Sequence, residues 1–187
     1  TALERCLSAL VARLDTLRIP YMLIGGLANA VWGVPRATLH VGVTVWAEEE
    51  RWPQLLADLG GEFVPMVPDP LVFARETRIL PLQGQEVRVD RILGLLPFER
   101  EAIDRAVAVR LAGTVVRVAT PEDLILMKLV SRRPGDEEDI RGILRQRRGQ
   151  LDFDTSQPRV GELARRLEQP ELSTRWQNWL AELAAEQ

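Results

Sequence analysis

Cysteine, lysine, histidine and tyrosine each occur only once in these 187 residues. The lone Cys6 excludes an internal disulfide framework and any zinc site built from several thiolates, and it suits a reducing cytoplasm. No uninterrupted apolar run approaches the ~18 residues a membrane span needs, and no basic segment followed by an apolar one reads as a leader. An excess of one charge is missing too. The 24 basic and 27 acidic residues leave a net charge of −3, which argues against general coating of nucleic acid but not against a local basic patch. A hydrophobic content of 46% with so little net charge excludes a disordered chain. Lysine is the sharpest shortage: arginine fills every cationic position except Lys128.

What is present reads as an α/β half followed by a helical tail, with boundaries at 1–119 and 120–187 and the tail packed on the first part. Leu3, Leu7, Leu10, Val11, Leu14 and Leu17 recur at helical spacing, which predicts an amphipathic helix over 2–17. Tyr21 to Ile24 is a short buried strand, and Gly25-Gly26 turns it into a short helix that stops near Gly33 and Pro35. Leu39, Val41, Val43 and Val45 then alternate with His40, Gly42, Thr44 and Trp46, the clearest strand pattern in the chain. A helix is expected over 48–59 and a proline-rich loop over 65–70. Strands are expected at about 71–76, 78–82 and 86–91, with Gly84 marking the turn between the last two. A helix from Phe98 to Ala106 precedes a hairpin of Val107–Leu111 and Val115–Val118. Thr120-Pro121-Glu122-Asp123 is a helix start, and the pattern stays helical to Gln187 with breaks near Pro134, Leu151 and Pro170.

A strand, a Gly-Gly turn, a short helix and a strand with a polar face together suit a triphosphate. Glycine lets the backbone approach closely, and N–H groups at a helix start favour negative charge. Gly25-Gly26 alone is weak evidence, but the wider string is more specific. Ile24-Gly25-Gly26-Leu27-Ala28, then Gly33, then Arg36-Ala37-Thr38-Leu39-His40-Val41-Gly42 resembles the signature of the nucleotidyltransferase fold, which reads Gly-Gly, short helix, Gly, Arg-x-Thr-x-Asp-x-Asp. Further along, Arg88-Val89-Asp90 resembles the strand carrying that family's third carboxylate. Thr120 to Leu129 resembles its Pro-Glu-Asp-Leu-Ile-x-x-Lys helix, and Arg132 to Ile140 its Arg-x-x-Asp-x-x-Asp-Ile segment. These matches run in order from about residue 20 to 140 and are most similar to the AbiEii-type nucleotidyltransferases, some of which are toxins of toxin–antitoxin and phage-defence systems.

The resemblance implies a polymerase-beta-like mixed sheet flanked by helices, with a C-terminal helical extension. It also implies transfer of a nucleoside monophosphate from a nucleoside triphosphate to a hydroxyl acceptor, with magnesium as cofactor. tRNA is the first-choice acceptor, and a cognate antitoxin protein the implied partner. An antibiotic-modifying nucleotidyltransferase shares the same motif logic, and a pseudoenzyme that binds nucleotide or a partner protein is the non-enzymatic alternative. The implied nucleotide-binding residues are Gly25, Gly26, Arg36, Thr38, Lys128 and Arg132, the last two expected on one helix face.

The sequence departs from the pattern where the chemistry is concentrated. Two acids two apart on a strand point the same way and hold magnesium against phosphate, and a third on the neighbouring strand completes a two-metal site. Here the two expected Asp positions are His40 and Gly42, so only Asp90 remains. Magnesium takes hard oxygen ligands, and glycine offers no side chain at all. His40 with Asp90 makes at best a weak two-ligand site for a softer metal. The expectation is a catalytically impaired member of the family.

Several other groups have ordinary explanations. Asp136 and Asp139 fit dipole-favoured positions at a helix start. Arg141, Arg145, Arg147 and Arg148 read as a solvated basic face, with contact to RNA phosphate as the sharper alternative. Trp176 and Trp179 form a stripe suited to packing.

Overall fold

The leucine spacing at the start of the chain closes into helix α1 (Ala2–Thr16), which buries Cys6, Leu7, Leu10, Val11 and Leu14 on one face. The structure, a computed structural model, describes residues 1–185. The chain falls into two compact units, one formed by Thr1–Ala28 with Arg36–Ala119, the other by Asn29–Pro35 with the chain from Thr120 onward.

The first unit is built on a seven-stranded mixed sheet. After α1 come β1 (Tyr21–Ile24), α2 (Gly25–Trp32, which from Asn29 on belongs to the second unit), β2 (His40–Val45), a single 3-10 turn (Glu49–Arg51), α3 (Trp52–Leu59) and β3 (Val64–Pro65). Then follow α4 (Pro70–Thr77), β4 (Ile79–Gly84), β5 (Val87–Leu93), α5 (Pro97–Arg105), β6 (Val107–Leu111) and β7 (Thr114–Val118). The strand order is β3-β4-β5-β2-β1-β7-β6. β2 runs antiparallel to β1 and parallel to β5, while β1 runs parallel to β7. The helices of this mixed α/β architecture and its central ladder match the fold class expected of the sequence.

Three local expectations are corrected. Residues 71–76 are helix α4, not a strand. Asp69 caps it by accepting the Val72 N–H, Pro70 starts it, and Arg78 ends it in the left-handed region at φ 63°, so the start and stop chemistry outweighs a short apolar run. Gly84 is a strand residue and not the turn. Gln85 and Glu86 make the turn, both at positive φ, and a Cβ at Gly84 would come within 2.5 Å of the Phe63 ring. Leu39 does not join the buried face of β2: it precedes the strand and is 85% exposed.

Arg91 is the anomaly of this unit. Side chains alternate across a strand, so Arg88, Asp90 and Ile92 share one face of β5 while Val87, Val89, Arg91 and Leu93 take the buried one. The guanidinium is fully buried, its register neighbours are Val43 and Leu80, and none of its three nitrogens has a hydrogen-bond partner. Burial pushes it down to about 9, which still leaves it charged at neutral pH.

The second unit is helical: α6 (Pro121–Ser131), α7 (Asp136–Gln146), α8 (Phe153–Arg166) and α9 (Glu171–Ala185). Thr120 caps α6 by accepting the Asp123 N–H. Trp176 is buried edge-on against Phe153 at 5.7 Å and donates its indole N–H to Gln157 at 2.7 Å. The basic face expected on α7 is not simply solvated. Arg141 bonds Glu182 and lies over Trp179, Arg147 donates to the Val31 carbonyl and lies over Trp32, and Arg148 donates to the Leu183 carbonyl. The expected helical run extended to Gln187, and Glu186 and Gln187 lie outside the described residues. No helix among the described residues is long and apolar enough to cross a membrane.

An unpaired cation in an apolar core destabilises the fold, and substituting a well-packed apolar residue for buried charge gains about 1–4 kcal/mol. Arg91→Met is therefore expected to raise the melting temperature by several degrees in calorimetry, at roughly 2–4 °C per kcal/mol for a chain of this size.

Candidate functional site

The geometry begins at the β1–α2 junction. β1 ends at Ile24, and Gly25 turns the chain into α2 with φ 67°, a conformation that costs glycine little. Gly26 has a different requirement: a Cβ there would collide with the Thr38 hydroxyl. The close approach of Gly26 to Thr38 thus brings the turn against the segment leading into β2. Thr38 in turn donates its hydroxyl to the Arg36 carbonyl at 3.3 Å. Gly25, Gly26, Arg36 and Thr38 all belong to the first unit and lie just before the strand that carries positions 40 and 42.

The parallel β2–β5 ladder then decides what faces what. Its register sets His40 beside Arg88 and Gly42 beside Asp90. Asp90 is about three-quarters buried and already committed, because its Oδ1 accepts from Arg88 Nε at 2.7 Å. His40 Nε2 lies 4.0 Å from Asp90 Oδ2. Arg88 is on the same face as Asp90, whereas Arg91 points the opposite way, so only the former neutralises the carboxylate.

These donors do not fit magnesium. One imidazole and one carboxylate already paired with a guanidinium cannot supply the oxygen shell a hard dication requires. Among the described residues, no group of three or more His, Cys, Asp or Glu side chains is arranged to hold a metal ion. The backbone at position 42 nevertheless leaves room for a side chain. A Cβ there would meet Ile24 at 3.5 Å, an ordinary van der Waals contact.

The remaining sequence-predicted residues, Lys128 and Arg132, belong to the second unit. They do not share a helix face. α6 ends at Ser131, and Arg132 follows in the left-handed region at φ 51°, half exposed and bonded to Glu171 at 3.3 Å. Lys128 is buried, with a side chain only 6% exposed. Its ammonium donates to Asp136 Oδ1 at 3.2 Å and Asp139 Oδ2 at 2.6 Å. Asp136 also accepts from the Ser131 hydroxyl and from the Arg133 N–H at 2.7 Å. The two acids are therefore more than a helix-start preference: they neutralise a buried cation. Ser131, Asp136 and Asp139 were not legible as its partners, because the turn between α6 and α7 brings together residues eight and eleven apart.

Comparison with known proteins bears on the family and the fold. The family model "Nucleotidyl transferase of unknown function (DUF2204)" matches residues 75–171, just over half of the chain. No curated protein sequence is significantly similar to it. Among solved structures, the antibiotic-resistance factor ANT(2'')-Ia aligns with a TM-score of 0.56 at 14% identity, over 98% of this chain and 95% of that one. The same factor in complex with adenylyl-2"-tobramycin aligns at 0.56 and 16% identity, over 94% and 99%. An antigenic nucleotidyltransferase-like protein from Paracoccidioides brasiliensis gives 0.53 and 18%, over 92% and 90%. At these identities the likeness is one of fold.

Two stability measurements check the packing described. Gly26→Ala is expected to cost about 1–3 kcal/mol by overpacking against Thr38, and adding Thr38→Ala should recover much of that loss in a denaturation double-mutant cycle. Lys128→Met removes the buried cation that faces Asp136 and Asp139 and should cost about 3–5 kcal/mol in the same denaturation series.

Proposed function

The chain belongs to this nucleotidyltransferase family of unknown function, and from that premise we propose that it is a toxin-type, tRNA-directed member whose magnesium-dependent transfer is switched off at β2. One observation carries the reading: His40 and Gly42 occupy the face where two carboxylates are required, and the remaining acid, Asp90, is neutralised by Arg88. Magnesium in this fold would clamp phosphate and polarise the attacked phosphorus. The donors present do not support that role, and no step is assigned to it.

What the chain retains is the phosphate-facing part. Gly25 and Gly26 present backbone N–H groups at the start of α2, and Arg36 and Thr38 follow the close approach at Gly26. In this reading these four contact a triphosphate weakly, because the metal that would bridge it to the sheet is lacking. Lys128 acts indirectly, holding the Arg132–Asp136 turn through Asp136. The tRNA acceptor, and an antitoxin as partner, rest on the order of motifs between residues 20 and 140.

The test uses the room at position 42. The protein as it stands should incorporate no more labelled nucleotide into bulk tRNA, in magnesium, than a protein-free control. His40→Asp with Gly42→Asp should raise incorporation about 100-fold or more, since a metal clamp contributes several kcal/mol and about 1.4 kcal/mol is tenfold in rate. Expression of that double variant should also arrest growth. Robust turnover by the unaltered protein would refute the reading, and drug resistance without toxicity in the double variant would move the acceptor to a small molecule.

A further inference from the structure

We infer that the second unit carries a phosphate-binding recess of its own, formed by Arg132, Arg133 and Arg175. An open cavity of about 570 Å³ lies between the α6–α7 turn and α9, lined by these three arginines with Pro134, Gly135, Asp136 and Glu137. That size falls within the range of small-ligand sites, roughly 300–1,000 Å³. Arg133 was legible only as part of the Arg-x-x-Asp segment, and Arg175 did not stand out in the sequence. Arg175 reaches the recess from a helix some forty positions downstream of the turn.

Three guanidiniums line the recess, two from the α6–α7 turn and one from α9. Arg175 donates through one nitrogen to the Leu129 carbonyl, a neutral partner. Burial first, and then the neighbouring Arg132 charge, lower the Arg175 guanidinium from its ordinary value, while Glu137, Glu171 and Asp136 act in the opposite sense. Two cations set close enough to perturb each other are unfavourable unless something negative lies between them. Arg132 spends one nitrogen on Glu171, and the Arg133 side chain is exposed. Asp136 is turned inward, with both oxygens engaged by Lys128, Ser131 and the Arg133 N–H. The exposed acids beside the three guanidiniums are Glu137 and Glu171.

Guanidinium forks match phosphate oxygens in pairs, and three of them favour a multiply charged anion over a single carboxylate. The ligand is therefore the phosphate of a nucleotide or of an RNA strand. The choice of phosphate rests on the nucleotidyltransferase reading; the recess itself owes nothing to His40 or Gly42. This arrangement also explains the buried Lys128 cluster, which fixes the turn that carries Arg132 and Arg133.

Calorimetric titration of the full chain without magnesium, once with inorganic tripolyphosphate and once with a short terminally phosphorylated RNA, tests the inference. At least one probe should bind, and Arg133→Glu, an exposed change that leaves the fold intact, should weaken it about tenfold or more. Arg175→Gln, with its melting temperature checked, should do the same. Binding of tripolyphosphate alone assigns the recess to a free nucleotide, and binding of RNA alone to a strand. No binding of either, or binding that survives both substitutions but is lost in Arg36→Ala, overturns the inference. Because the readout is binding without metal, failure of the His40→Asp, Gly42→Asp variant to gain transfer would leave this result standing, and the reverse holds equally.

Discussion

The parallel ladder between β2 and β5 is the constraint from which the functional account follows. Its register puts Gly42 beside Asp90 and His40 beside Arg88, so the identity of two residues on one strand sets the charge available to a ligand on that face. A divalent cation needs several anionic oxygens converging within bonding distance. One carboxylate, already paired with Arg88, does not provide them. Around it the first unit holds the glycine turn after β1, the close approach of Gly26 to Thr38, and space beside Ile24 for a side chain at 42. The proposed reading sets this backbone geometry apart from the chemistry of the side chains on β2. That separation underlies the proposal of a transfer-inactive family member.

Buried charge is handled in opposite ways in the two units. In the second, Lys128 is surrounded by Asp136 and Asp139 and tied to Ser131 through Asp136. In the first, Arg91 lies between Val43 and Leu80 with no partner. Desolvating an ion is repaid only by good partners, so the lysine cluster organises its turn while Arg91 costs stability. The single cysteine belongs with the core: burial pushes the Cys6 thiol up to about 11, which leaves it unreactive as a nucleophile.

Much of the sheet was legible because its signals are local. β1, β2, β5 and the β6–β7 hairpin declare themselves by alternation and by the turn at Ala112-Gly113, and α6 by its Thr-Pro-Glu-Asp start. Residues 71–76 misled because a short apolar run fits helix and strand alike. Asp69-Pro70 was the better signal. The site was legible to the extent that it is a string. Positions 25, 26, 36, 38, 40 and 42 lie close in sequence, and position 90 is one strand away. What could not be read is what the turns bring together: Lys128 with its two acids, Arg132 leaving the helix at a left-handed residue, and Arg175 joining it from α9. Side-chain partners across a turn carry no periodic signature, and neither does the loss of one, as Arg91 shows.

The central claim is that the β2–β5 face no longer binds the metal the fold was built around. Electron paramagnetic resonance of manganese, titrated into the protein with a nucleoside triphosphate present, reads this directly. The account predicts that the signal matches manganese and triphosphate without protein, and that a protein-bound species emerges only when Asp is placed at both 40 and 42. A stoichiometric bound species in the unaltered protein, abolished by Asp90→Asn, would contradict it.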